Sequence, residues 1–213
     1  MMAIGCVGLG AGVLMACTGS EPTAPAYRIT TVDCAGHEGG FAAAVAVDDH
    51  LLATAAHAVA STQSVRVFSP AGDEVAASVA YLDTTTDVAL LRVDTALAPF
   101  LPFGQADIGD PVTIGTFVAD AYAPRPGTVV DVADVTIDGE GQRAALQLDA
   151  TIATGDSGAG VFVGGELVGV IFARSEADNG MVWAVAASEV SAALRSVESG
   201  AVSAPIACPP QTP

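Results

Sequence analysis

Leu146-Gln-Leu-Asp-Ala-Thr-Ile-Ala-Thr-Gly155-Asp156-Ser157-Gly158-Ala-Gly-Val-Phe-Val163 places a glycine-rich turn between two apolar, strand-like runs. A serine hydroxyl is a poor nucleophile at neutral pH. It needs a base to take its proton and donors to hold the charge that builds on the attacked oxygen. Glycines on both sides of Ser157 permit a tight turn that exposes the hydroxyl. The same turn can aim the backbone N–H groups of Gly155 and Ser157 into one small space. All four residues from Gly155 to Gly158 are turn formers, so the motif by itself reads equally well as an ordinary turn. A nucleophile loop requires, in addition, a histidine and a buried carboxylate elsewhere in the chain.

Two upstream stretches supply them. Leu51-Leu-Ala-Thr-Ala-Ala-His57-Ala-Val59 sets a histidine just after an apolar, strand-like run. Tyr81-Leu-Asp83-Thr-Thr-Thr-Asp87-Val-Ala-Leu-Leu-Arg-Val93 sets an aspartate directly before a β-branched and leucine run. His, Asp and Ser in that order is one of the known chain orders of the serine triad. On these three motifs the chain resembles the trypsin-like (chymotrypsin-fold) serine peptidases, nearest to their bacterial and high-temperature-requirement branches. The resemblance extends over residues 38–198.

The resemblance implies that Ser157 attacks a carbonyl, that His57 takes and returns its proton, and that Asp87 orients the imidazole. Asp83 competes for the last role, but Thr86-Asp87-Val-Ala-Leu-Leu matches the family motif, whereas Asp83 stands where a solvated turn residue would. The implied oxyanion hole is the N–H pair of Gly155 and Ser157. Losing one such donor costs about 3 kcal/mol of transition-state stabilisation. The chain departs from the family at Gly158-Ala159-Gly160, where relatives have two glycines followed by proline or a small residue. In relatives activated by cleavage, the aspartate before the serine pairs with a new N-terminal amine. No Ile-Val-Gly-Gly-like start occurs here, and Arg125 and Arg143 are the candidate partners for Asp156 if it is charged and buried.

The implied primary pocket involves Thr151, Thr154, Phe172, Arg174 and Met181. Thr151 stands where a carboxylate would select Lys or Arg, and Met181 would narrow the pocket, so small or apolar side chains are expected there. Arg174 occupies a place where relatives have small residues, and either obstructs the site, binds an acidic group or points to solvent.

Composition agrees with a folded, exported body. The chain has 213 residues, 51% of them hydrophobic, and a mean hydropathy of +0.52, ample for a core. A net charge of −17, with seven Arg and no Lys, argues against nucleic acid and against docking on anionic lipid. Residues 1–16 are uncharged and apolar, short for a membrane span of about 20 residues but suited to an export signal. Leu14-Met15-Ala16-Cys17 resembles a bacterial lipobox, which implies a lipidated Cys17 on a tether of residues 17–27. A plain secretory signal is the alternative. Cys6 would leave with the signal, so Cys34 and Cys208 remain, either as a disulfide pair in an oxidising compartment or as two unpaired thiols. Closing so long a loop stabilises by about 4–5 kcal/mol in the chain-entropy model.

The body reads as short strands between turns, with helical spacing only at 187–196, where Val190, Ala193, Leu194 and Val197 share a face. That pattern denotes an all-β barrel or sandwich. The resemblance makes it two Greek-key antiparallel β-barrels with a C-terminal helix, the first over 28–110 and the second over 111–213. No metal or organic cofactor is expected. Asp138-Gly-Glu-Gly-Gln142 lacks the ligand spacing of a calcium loop and reads as a hairpin turn. His37-Glu38 has no partner at metal spacing, and His50 is a turn residue. The expected function is a monomeric serine endopeptidase acting on polypeptides, tied to the membrane only through its lipid. A catalytically silent or gated peptide-binding module on the same fold, and an esterase with the same triad, are the rivals.

Overall fold

Three runs in the first half of the chain, Phe41–Val47, Leu51–Ala55 and Val88–Val93, are almost wholly apolar instead of alternating. A strand reads that way when both of its faces are buried. The computed structural model, which describes residues 26–97, 100–136, 141–174, 180–200 and 208, shows what buries them. Strands β1 (Ala26–Asp33), β2 (Glu38–Asp48), β3 (Leu51–Ala55), β4 (Thr62–Phe68), β5 (Glu74–Asp83) and β6 (Val88–Val93) close into a barrel in the order β1-β2-β3-β6-β5-β4. Ala42, Ala44, Leu52, Ala89 and Leu91 fill its interior, with Ile29 and Val67. The intervening residues Val45, Leu51, Ala53, Val88 and Leu90 point the other way, against a second body.

That body is a second closed barrel in the order β10-β11-β14-β13-β12-β7. Its strands are β7 (Pro111–Ile114), β10 (Arg125–Thr136), β11 (Gln142–Ala150), β12 (Gly160–Val163), β13 (Glu166–Arg174) and β14 (Val182–Ala186). A two-stranded ribbon, β8 (Phe117–Val118) and β9 (Ala121–Tyr122), stands between β7 and β10. Ile114, Leu146, Leu148, Val161, Val168 and Ile171 fill this barrel. Phe162, Leu167, Val170, Phe172 and Val185 meet the outer face of the first barrel, forming one buried seam between the two.

Helix α1 (Ala187–Glu198) closes the seam with Val190 and Ala193, and Leu194 and Val197 pack beside them. Glu189 in its first turn and Arg195 in its last suit the helix dipole. The Glu189 carboxylate also accepts the N–H of Ala144 at 3.0 Å, tying the helix to β11. The fold is therefore the mostly-β, two-barrel architecture with one C-terminal helix that the sequence leads one to expect.

Local differences have simple causes. The stretch Arg125–Thr136 is one long strand, β10, because Asp131 and Asp134 face solvent, and its ladder to β11 shifts register once, between Val129 and Asp131. Strand β7 stops at Ile114, where the chain leaves the sheet for the β8–β9 ribbon. Cys34, just after β1, and Cys208 are bonded through sulfur, with Cα atoms 5.3 Å apart. The export signal, Cys17, most of the tether and Asp138–Glu140 lie outside the described residues. Among the described residues no helix is long and apolar enough to cross a membrane.

Candidate active site

The seam between the barrels gathers the three residues that the motifs singled out. His57 lies in a 3-10 turn, Ala56–Ala58, that leaves β3 directly. Asp87 is the last residue before β6, which pairs with β3 from Val88 onward, so register alone sets Asp87 beside Ala56 and His57. The Ala56 N–H donates to the Asp87 carbonyl at 3.1 Å and fixes that junction. Asp87 adopts φ 58°, a left-handed conformation that a non-glycine residue rarely takes. Such strain costs about 1–3 kcal/mol and persists only where the surroundings over-determine it. Here Asp83 helps: its carboxylate accepts the Thr85 N–H at 2.8 Å and the Thr86 hydroxyl at 3.0 Å, shaping the turn.

The Asp87 carboxylate accepts the His57 backbone N–H at 2.8 Å and faces His57 Nδ1 at 2.8 Å. A carboxylate can only accept, so Nδ1 carries the proton. Nε2 is thereby left as an acceptor, and it faces Ser157 Oγ at 3.1 Å. The hydrogen bond and charge of Asp87 raise the His57 pKa above 6.5, with burial acting against them. Asp87 is nearly buried while half of the imidazole surface is open, so the base is held from behind and free in front. This arrangement can draw a proton from a hydroxyl and hold it as a stabilised imidazolium.

Ser157 reaches the imidazole from the other barrel through two glycine-dependent turns. Gly155 has φ 100° and Gly158 has φ 87°. A side-chain carbon on Gly158 would run into the Ala43 carbonyl and the Thr54 hydroxyl, so the position needs glycine for space as well as for conformation. Barrel contacts clamp the loop: Ala43 N–H donates to the Ser157 carbonyl and Gly158 N–H to the Ile171 carbonyl, both at 2.7 Å. Ala159, the departure from the family pattern, is fully buried in the second barrel's core. Its N–H donates to the Asp156 carbonyl at 3.0 Å, so its methyl is absorbed by packing without opening the turn.

Asp156 is buried, and its carboxylate accepts the Ala153 N–H at 2.7 Å. Burial raises its pKa, opposed by that hydrogen bond and by the charge of Arg125. Neither candidate arginine forms an ion pair with it among the described residues. Arg125 donates to the Thr151 carbonyl at 3.3 Å, and Arg143 lies over the Phe172 ring, 5.1 Å from its centre.

A cleft of ≈ 510 Å³ opens beside Ser157 and His57, walled by Thr154, Gly155, Phe172 and Arg174 and rimmed by Phe41. Thr151 and Met181, expected in the pocket, are not among the residues that line it. Thr151 sits at the end of β11 with its carbonyl engaged by Arg125, and Met181 is half-buried at the start of β14. Two contributors were missed from sequence. Phe41, 59% exposed, packs against Gly155, and its signal was a lone aromatic opening an alanine-rich strand. Asp83 was read as a solvated turn residue but shapes the Asp87 turn. No group of three or more His, Cys, Asp or Glu side chains suited to a metal occurs among the described residues.

Residues 40–170 match the trypsin-like peptidase domain. The chain is 32% identical over 141 residues to the mitochondrial serine protease HTRA2 of Bos taurus, covering 59% of this chain and 30% of that protein. It is 29% identical over 148 residues to a probable periplasmic serine endoprotease, DegP-like, of Halomonas elongata, covering 65% and 31%. The chain thus spans about a third of the length of these relatives. Among solved structures, the active form of the Rv3671c protease from M. tuberculosis superposes with a TM-score of 0.77 at 22% identity, covering 87% of this chain and 85% of that one. The HtrA-type protease AlgW with a tripeptide gives 0.74 at 22% identity, covering 84% and 62%.

Proposed function

This chain belongs to the trypsin-like peptidase domain family, and we propose that it is an exported serine endopeptidase that cleaves polypeptides through an acyl-enzyme. The observation that carries this reading is the unbroken line from Asp87 through His57 to Ser157, with spacings of 2.8 and 3.1 Å. In the proposed reaction Ser157 Oγ attacks the scissile carbonyl while its proton passes to His57 Nε2. Asp87 stabilises the imidazolium, which then protonates the leaving amine. Water, deprotonated by the same imidazole, hydrolyses the ester and regenerates the serine.

The N–H groups of Gly155 and Ser157 are the proposed oxyanion donors. Among the described residues neither donates to another group, which supports their being available for a developing negative charge. Export is supported by the apolar residues 1–16, by the Cys34–Cys208 bond and by similarity to a periplasmic endoprotease. A lipid on Cys17 would complete that picture. Small or apolar selectivity is the preference that the resemblance implies through Thr151 and Met181, and Thr154, Phe172 and Arg174 line the cleft beside Ser157.

The test is covalent labelling of the purified protein with a fluorophosphonate probe, mapped by mass spectrometry, with Ser157→Ala as control. Stoichiometric modification of Ser157 is the expected result. Folded protein that takes up no label would instead be a peptide-binding module.

A further inference from the structure

We propose that Arg174 makes the cleft select substrates that carry a carboxylate side chain on the acyl side of the cleaved bond. The proposal rests on the endopeptidase reading and names its substrate class. Three observations converge on it. Among the described residues that line the cleft, Arg174 is the only permanently charged side chain, and no Asp or Glu joins it there. Arg174 is exposed at the end of β13. It lies along the backbone at Gly180, where a side-chain carbon would stand 3.2 Å from Nη2 and 3.3 Å from Nε. The guanidinium thus lies beside Gly180, just before β14, in space that a glycine leaves open. Among the described residues no carboxylate stands within ion-pair distance of it.

A second cation reinforces the first from behind the wall. Arg143 is 4% exposed, its guanidinium is stacked over the Phe172 ring, and its Nε has no hydrogen-bond partner. A cation in a low-dielectric wall is screened far less than one on the surface, so Arg143 adds positive charge behind Phe172.

The chain's net charge of −17 works against acidic substrates, and the comparison of ranges decides between the two effects. At physiological ionic strength, charges more than about 8 Å apart are largely screened. The acidic surface therefore slows encounter at low salt, whereas a planar guanidinium within contact distance sets selectivity through paired N–H···O bonds. Such contacts recognise carboxylates and not their amide isosteres.

The experiment uses matched peptides in which Glu or Gln occupies each of the first three positions on the acyl side. They are assayed with the full chain at physiological ionic strength. A solvent-exposed ion pair changes affinity by no more than about fivefold. We expect kcat/KM to favour Glu by about tenfold or more at one position. The ratio falls to about one in Arg174→Gln and below one in Arg174→Glu. Fluorophosphonate labelling, which ignores substrate side chains, separates the two readings. If Ser157 labels but Glu and Gln peptides are cleaved alike at all three positions, the selectivity proposal is overturned and the peptidase reading stands. If folded protein does not label, fluorescence anisotropy of the same peptides decides. Tighter binding of a Glu peptide, lost in Arg174→Gln, supports the subsite, and equal binding overturns it.

Discussion

Asp87 grips His57 at two points: one carboxylate oxygen accepts the backbone N–H and the other faces Nδ1, each at 2.8 Å. The first contact fixes where the ring is rooted. The second fixes which nitrogen holds the proton. Asp87→Asn keeps the shape but can offer an amide N–H to Nδ1, leaving the proton on Nε2 facing Ser157. We expect kcat to fall on the order of 10⁴-fold with little change in KM, the loss measured for this change in a trypsin-type triad. Peptide or ester hydrolysis at pH 7 checks it, and a loss below tenfold would remove Asp87 from the mechanism.

The same contact sets a pH dependence. Asp87 raises the His57 pKa above its ordinary 6.5, and only neutral His57 can accept the serine proton. Activity is therefore expected to climb as pH rises through an inflection above 6.5. For stability the sign is opposite. A raised pKa means that the charged pair stabilises the fold fully below 6.5, and that this contribution disappears as pH climbs through the folded-state value. Rate profiles and melting curves across pH 5–9 read the two trends, which should move in opposite directions.

Gly158→Ala tests the clamp on the nucleophile loop. The new methyl meets the Ala43 carbonyl and Thr54 hydroxyl, on backbone already at φ 87°. Backbone strain and overpacking together should cost about 2–5 kcal/mol. In a domain of this size that lowers Tm by roughly 5–20 °C. Calorimetry of the variant is the check, with an unchanged Tm counting against the geometry described.

Asp83→Ala removes both hydrogen bonds that shape the Asp87 turn. At about 0.5–1.5 kcal/mol each, the loss of stability should be about 1–3 kcal/mol. Activity should fall through misplacement of Asp87, and by far less than in Asp87→Asn. Equal losses in the two variants would mean that Asp83 acts in the chemistry itself.

Asp156→Asn probes the buried carboxylate behind the oxyanion donors. Burial raises its pKa from 3.8, so the charged form penalises the fold at neutral pH. An amide oxygen can still accept the Ala153 N–H. The variant should melt higher than the parent at pH 7, with the gap closing as the pH falls to about 4. Lower stability at pH 7 would show that Arg125 compensates the charge more fully than burial penalises it.

Much of this architecture is legible in local pattern. The almost wholly apolar runs within β2, β3 and β6 announce strands buried on both faces, and the single 3.6-residue period at 187–196 announces the helix. His57, Asp87 and Ser157 are legible because each sits in a short motif beside a strand end. The pocket is less so. Thr151 and Met181 were placed in it by analogy of position, yet lining a cleft depends on where strands end and how the chain turns between them. The unit of Asp83 with Thr85 and Thr86 shows the same gap, since a turn aspartate looks identical whether it meets water or fixes a neighbour.

The sequence by itself indicated most of the elements, the candidate reacting groups and the glycines that the serine turn demands, because each follows from contacts within a few residues along the chain. Only the tertiary structure decided which of those groups meet. His57 and Ser157 are 100 residues apart and touch across a seam. Their 3.1 Å spacing comes from two closed barrels packing side chain against side chain, whereas the position of Arg174 beside Gly180 and the burial of Arg143 behind Phe172 are set within the second barrel. Close packing admits few relative placements of the barrels, so distances between them are set by the whole interface and by no single stretch of residues.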